Sequence, residues 1–156
     1  MMAERALVDV TTRLSRMGVT FALVGGLAVS IRAEVRFTRD VDLAISVDTD
    51  LDVERITRAL VAEGFSVAAI VEQDEAGRIA IARLRSPSGI VIDLLAASSG
   101  IEHEIIQKAC ETPELPGIPV ALSEHLLAMK VLSMSQSRLQ DRIDAKNLLA
   151  ASPVDE

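Results

Sequence analysis

Apolar residues recur at helical spacing through Leu7, Val10, Leu14 and Met17, and Gly18 follows where such a helix would be capped. The spacing predicts a first helix from Ala3 to Met17. Thr20–Val24 (TFALV) is β-branched and apolar, ends at Gly25-Gly26 and leads into LAVSIRAE, the pattern of a strand running through a tight glycine turn into a short helix. From Val41 to Val47 the chain alternates, with Val41, Leu43, Ile45 and Val47 on one apolar face and Asp40, Asp42, Ala44 and Ser46 on the other. Thr49 or Asp50 then opens a helix carrying Val53, Ile56 and Leu60, closed by Gly64.

Three strand-like runs follow: Ser66–Glu72, Arg78–Arg85 and IVIDLL (Ile90–Leu95). The turn-rich DEAG and SPSG segments between them predict an antiparallel meander. Ser99 with Glu102 forms a capping box ahead of Ile101, Ile105 and Ile106. Pro113, Pro116, Gly117 and Pro119 mark a linker around a short extended piece. Two closing helices begin at Ser123 and at Ser137, the second boxed by Gln140. The sum is an α/β (α+β) chain with a mixed β-sheet of about five strands, flanked by helices and followed by C-terminal helices. A single domain over residues 1–151 with a frayed tail at 152–156 is expected.

Composition narrows the chemistry. No run approaches the roughly 18 apolar residues of a membrane span, and Glu4, Arg5 and Asp9 interrupt the opening MMAERALVDV, so a cytoplasmic protein is expected, with no membrane partner. Cys110 is the only cysteine, which excludes an internal disulfide or a thiolate zinc cluster and leaves oxygen donors for any metal. A net charge of −7 argues against a broad DNA-binding face. Trp and Tyr are absent, so no aromatic stacking platform for single strands is expected.

Asp40 and Asp42 lie two apart on a strand, so both side chains leave the same face. Two like charges there raise one another's pKa unless a cation or donors neutralise them, and a divalent cation would. Asp93, inside IVIDLL, is a carboxylate in an apolar strand and needs a partner. That partner is a shared Mg²⁺ (or Mn²⁺), which takes oxygen ligands and leaves positions for water and phosphate, or else Arg83 or Arg85 on the neighbouring run. Asp48, Asp50 and Asp52 repeat the spacing, but in a loop and first helical turn, where a solvated cap is the better reading.

Gly25 and Gly26 let backbone approach a ligand, and the helix N-terminus behind them offers N–H donors to phosphate; taken alone, such a pair is more often a simple tight turn. Arg36 and Thr38 alternate ahead of the Asp pair, continuing its face if the strand starts early, so Arg36 either clamps a phosphate or pairs with Asp40 or surface acids. Lys130 falls within the apolar stripe of its helix, either snorkelling past the core or reaching phosphate. On the final helix Asp141 or Asp144 would orient Lys130, with capping as the plain alternative for Asp141. His103 and His125 have no ligand partner in the pattern and receive no role.

The order strand, Gly-Gly, helix, then RFTRDVDLAI, a later IVIDLL and a helical Lys–Arg–Asp pattern resembles the nucleotidyltransferase superfamily that includes DNA polymerase beta. More narrowly, GGLAVSIRAEVRFTRDVDLAI with HLLAMKVLSMSQSRLQDRIDAKNLL resembles the AbiEii-type branch of toxin–antitoxin and phage-defence systems. The resemblance implies metal-dependent transfer of a nucleoside monophosphate from a nucleoside triphosphate to an acceptor hydroxyl, of a tRNA end, a protein or a small molecule. Asp40, Asp42 and Asp93 would hold the metals, Gly25 and Gly26 would cradle the phosphates, and Lys130 would neutralise triphosphate charge. A cognate toxin or antitoxin partner is also implied. The chain departs from the pattern in carrying Gly-Gly where many members have Gly-Ser, and in being shorter than many family toxins. The rival expectations are a non-catalytic nucleotide-binding partner of such a pair and an acidic interaction domain.

Overall fold

The computed structural model describes residues 2–33, 38–73, 77–97, 100–133 and 147–151. Helix α1 (Met2–Arg16) buries Ala3, Ala6, Leu7, Val10 and Leu14 on one stripe, and Gly18, at φ +74°, turns the chain out of it. Strand β1 (Phe21–Val24) is buried throughout and runs directly into α2 (Gly25–Arg32). After β2 (Val41–Ser46) comes α3 (Asp50–Ala62), entered where Asp52 accepts the Asp48 and Thr49 N–H groups at 3.0 and 3.3 Å. Asp50 accepts the Ile79 N–H at 3.0 Å. The second acidic repeat thus spends Asp52 on local backbone donors, the capping use expected of it, and Asp50 on a backbone donor from a distant segment.

Strands β3 (Ser66–Glu72), β4 (Ile79–Arg85) and β5 (Val91–Ala97) form the antiparallel meander. Helix α4 (Gly100–Lys108) and the hairpin β6 (Cys110–Thr112) and β7 (Leu115–Val120) lead to α5 (Ser123–Ser133). The strands form one mixed sheet in the order β3-β4-β5-β2-β1-β7-β6. It has seven strands among the described residues rather than about five, because the proline-marked linker is itself the β6–β7 hairpin. Prolines remove ladder donors and argue against a strand. They are tolerated because β7 touches β1 through the single pair Leu23↔Val120. The Ser99 capping box and the helix expected from Ser137 lie outside the described residues, apart from a helical stretch at 147–151 that buries Leu148.

Register decides which face is core. Strand β2 is parallel to β5 and antiparallel to β1. Val41, Ile92 and Leu84 line up across β2, β5 and β4, as do Leu43, Leu94 and Ala82, and all six are buried. Each of the larger ones contributes about 1.5–3 kcal/mol of burial. The alternate rows must emerge on the opposite face, and it is there that the charged residues lie.

Candidate active site

One such row carries the chemistry. Arg83 of β4 pairs with Asp93 of β5, Asp93 with Asp42 of β2, and Asp42 with Val24 of β1, so these four positions cross the sheet on a common face. The row ends where β1 becomes α2. The N-cap of that helix is Val24, whose apolar side chain makes no capping hydrogen bond to the first N–H groups. Gly25 follows at φ +70°, and a Cβ built on it would lie 2.2 Å from Oδ2 of Asp42. The absent side chain at Gly25 is what makes room for the Asp42 carboxylate beside the helix start. Gly26, its neighbour, is an ordinary buried helical residue.

Above this row lies a cleft of about 350 Å³ lined by Gly25, Asp42, Arg83, Asp93 and Lys130, with Ile81, Leu95, Leu126 and Met129 as its apolar wall. Burial raises the Asp42 pKa to about 6, with the nearby Asp93 and Asp40 charges adding to the rise and Lys130 and Arg83 opposing it. Asp93 is buried and accepts from Arg83 twice, Nε to Oδ1 at 2.8 Å and an Nη to Oδ2 at 3.0 Å. That hydrogen bonding holds the Arg83 pKa above its ordinary value. Of the two arginines open to Asp93 in the sequence, Arg83 is the one that pairs with it, and the carboxylate still stands beside Asp42.

Four of the expected site residues therefore meet: Gly25, Asp42, Asp93 and Lys130. Asp40 and Thr38 line a neighbouring depression of about 480 Å³ with Arg39 and Arg85, although the Asp40 charge still reaches Asp42. Arg36, Asp141 and Asp144 lie outside the described residues. Among the described residues no three His, Cys, Asp or Glu side chains converge tightly enough to ligate one ion in this conformation. The donor chemistry still suits a divalent cation: two carboxylates on adjacent strands, a third charge nearby, and an Asp42 whose ionisation is disfavoured first by burial and then by the neighbouring carboxylates. Arg83 and the apolar wall were not singled out as site residues in the sequence. The signal for Arg83 was the short SPSG turn, which brings β4 back against β5 with Arg83 opposite Asp93.

Residues 6–156 match the family described as Nucleotidyl transferase AbiEii toxin, Type IV TA system. The chain belongs to the AbiEii nucleotidyltransferase family. Solved structures agree on the fold. An antigenic nucleotidyltransferase-like protein from Paracoccidioides brasiliensis is 21% identical with a TM-score of 0.55, over 92% of this chain and 72% of that one. The lincosamide antibiotic adenylyltransferase LnuA, solved with lincomycin bound, is 16% identical with a TM-score of 0.59, over 96% and 98%. ANT(2″)-Ia, solved with adenylyl-2″-tobramycin, is 15% identical with a TM-score of 0.56, over 96% and 90%. No curated protein sequence matches the chain. Family membership agrees with the superfamily and branch that the sequence resembles. No helix among the described residues is long and apolar enough to cross a membrane.

Proposed function

We propose that the cleft over Asp42 and Asp93 binds a nucleoside triphosphate with Mg²⁺ or Mn²⁺ and transfers its nucleoside monophosphate to an acceptor hydroxyl, releasing pyrophosphate. The observation that carries this reading is the alignment of Asp93, Asp42 and the uncapped start of α2 at Gly25 in one row on the open face of the sheet. Backbone N–H groups at Gly25 and Gly26 donate hydrogen bonds to the triphosphate oxygens, and the helix end favours its negative charge. Lys130 enters from α5 and offsets the charge of the phosphates. Arg36 and Thr38 add phosphate contacts from the segment before β2, and Asp141 or Asp144 orients Lys130.

Asp42 and Asp93, with Asp40 drawn in from the neighbouring depression, would hold divalent cations, which when bound would supply charge stabilisation to the attacking and leaving oxygens of an in-line displacement. Asp42 must be ionised for this, so its pKa of about 6 leaves it competent at neutral pH. The apolar wall of Ile81, Leu95, Leu126 and Met129 excludes water and packs against the organic part of a substrate.

The chain fills nearly the whole length of LnuA, solved with lincomycin bound, and most of ANT(2″)-Ia, solved with an adenylylated tobramycin. This supports a fold of this size seating both donor and acceptor. The family description further supports a role as the toxin of a toxin–antitoxin pair with a cognate antitoxin, and the cytoplasm is the place we propose for it. A second reading, a nucleotide-binding partner module without turnover, is favoured by the engagement of Asp93 with Arg83.

One experiment separates the two. The protein is incubated with each α-labelled triphosphate, Mg²⁺ or Mn²⁺, and a cell extract containing tRNA, protein and small molecules. Transfer of label that vanishes in the D42N/D93N variant is expected. Triphosphate binding without transfer of label to any fraction would leave the non-catalytic module, and undiminished transfer by the double variant would remove these aspartates from the chemistry.

A further inference from the structure

The Arg83–Asp93 contact joins a side chain that is 51% exposed to one that is only 11% exposed. A guanidinium thus reaches in from the open side of the cleft to a carboxylate held nearly inside the sheet, and it engages both oxygens. A buried carboxylate requires a counter-charge. The guanidinium cannot surrender its proton, so it competes for Asp93 as a permanent cation. The same row places Asp42 directly beside Asp93, and Arg83 already acts electrostatically on Asp42 as well as Asp93.

Resting on the proposed function above, we infer that Arg83 is a positioning residue that serves as the exchangeable counter-ion of Asp93. With the cleft empty of nucleotide, Arg83 holds both oxygens of the Asp93 carboxylate by its two-pronged contact. When triphosphate enters, Arg83 releases Asp93 to a divalent cation and turns its guanidinium to the phosphate oxygens, a second bidentate anionic partner of matching geometry. Its half-exposed stem leaves it the freedom to turn. The exchange couples the two ligands. A divalent cation arriving alone must break the bridge with nothing offered to the guanidinium, whereas cation and triphosphate together leave every charge paired.

The test is Mn²⁺ binding, followed by electron paramagnetic resonance and calorimetry, with and without α,β-methylene-ATP, for the parent, R83M and R83K. R85M serves as a control because it removes an equal charge two positions along the same strand. In R83M the affinity for Mn²⁺ alone is expected to rise about tenfold, the equivalent of one charge-assisted hydrogen bond no longer broken. The enhancement of Mn²⁺ binding by the triphosphate analogue should shrink by a similar factor. R83K, which keeps the charge and loses the second prong, should fall between, and R85M should follow the parent. If R83M fails to fold, R83K carries the same comparison. Unchanged Mn²⁺ affinity in the folded Arg83 variants, an unchanged enhancement by the analogue, or an equal response in R85M would overturn the role given to Arg83. A parent that binds neither Mn²⁺ nor the analogue would instead overturn the nucleotide site on which it rests.

Discussion

Gly25→Ala tests the construction of the site most directly, because two separable penalties meet at that residue. The first is conformational: Gly25 sits at φ +70°, where an L side chain costs about 1–2 kcal/mol. The second is steric: the new Cβ would lie 2.2 Å from Oδ2 and 2.7 Å from both Cβ and Cγ of Asp42. A change of Asp42 rotamer would move the oxygens but not the Asp42 Cβ, so backbone must shift in β2 or at the head of α2. Such strain adds a further 1–3 kcal/mol or so, giving a total on the order of 3 kcal/mol. Gly18→Ala is the matched control, with φ +74° and nothing within 4 Å of its built Cβ. It should lose only about 1–2 kcal/mol. Urea denaturation of both variants at neutral pH measures the difference, and Mn²⁺ binding at a temperature where both are folded measures the displacement of Asp42. We expect G18A to bind as the parent does and G25A to lose at least about tenfold, one hydrogen-bond equivalent. A G25A protein as stable as G18A that binds Mn²⁺ normally would refute the claim that this glycine exists to admit the Asp42 carboxylate.

Three other outcomes follow from the same geometry. Asp42 has a folded pKa of about 6 against roughly 3.9 unfolded, so the folded state binds the extra proton, and stability should be greatest at low pH and decline by up to about 3 kcal/mol between pH 4 and 6. Denaturation of D42N should show this slope removed and stability gained at pH 7.5, and an unchanged slope would locate the titration elsewhere. Divalent-cation binding by the parent should weaken as pH falls below 6, read by calorimetry at pH 5 and 7.5; equal affinity at both values would contradict the need for ionised Asp42. Arg32 donates to the carbonyls of Val120 and Ala121, both at 3.0 Å, so R32A should cost about 2 kcal/mol by denaturation, and a loss below about 0.5 kcal/mol would show that this tie between α2 and the end of β7 is dispensable.

The elements that the sequence made visible are those whose signal is local. Leu7, Val10 and Leu14 announce α1 by spacing alone, and the alternation from Val41 to Val47 announces β2 and assigns its buried side. The β6–β7 hairpin stayed hidden because Pro113, Pro116 and Pro119 speak against strands, while its attachment to β1 is a contact across almost a hundred residues. At the site, Asp42 and Asp93 were legible as carboxylates that needed a partner, but their adjacency depends on the parallel register of β2 with β5, which no short segment encodes. Gly25 and Gly26 looked interchangeable in the sequence, and backbone geometry separates them: one at positive φ against Asp42, the other inside the helix. Asp40 precedes the first residue of β2, so no strand pairing holds it at the cleft, and it lines the adjoining depression instead.

The two neighbours of Asp93 are set by unrelated lengths of chain. Only the short link from Arg85 to Val91 fixes its guanidinium partner, whereas its acidic partner is fixed by the long excursion from Ser46 through a helix and two strands. A one-residue slip of β4 against β5 would turn Arg83 to the far side of its strand and leave the two acids where they are. The guanidinium that faces the cleft is therefore set independently of the pairing that brings the two acids together.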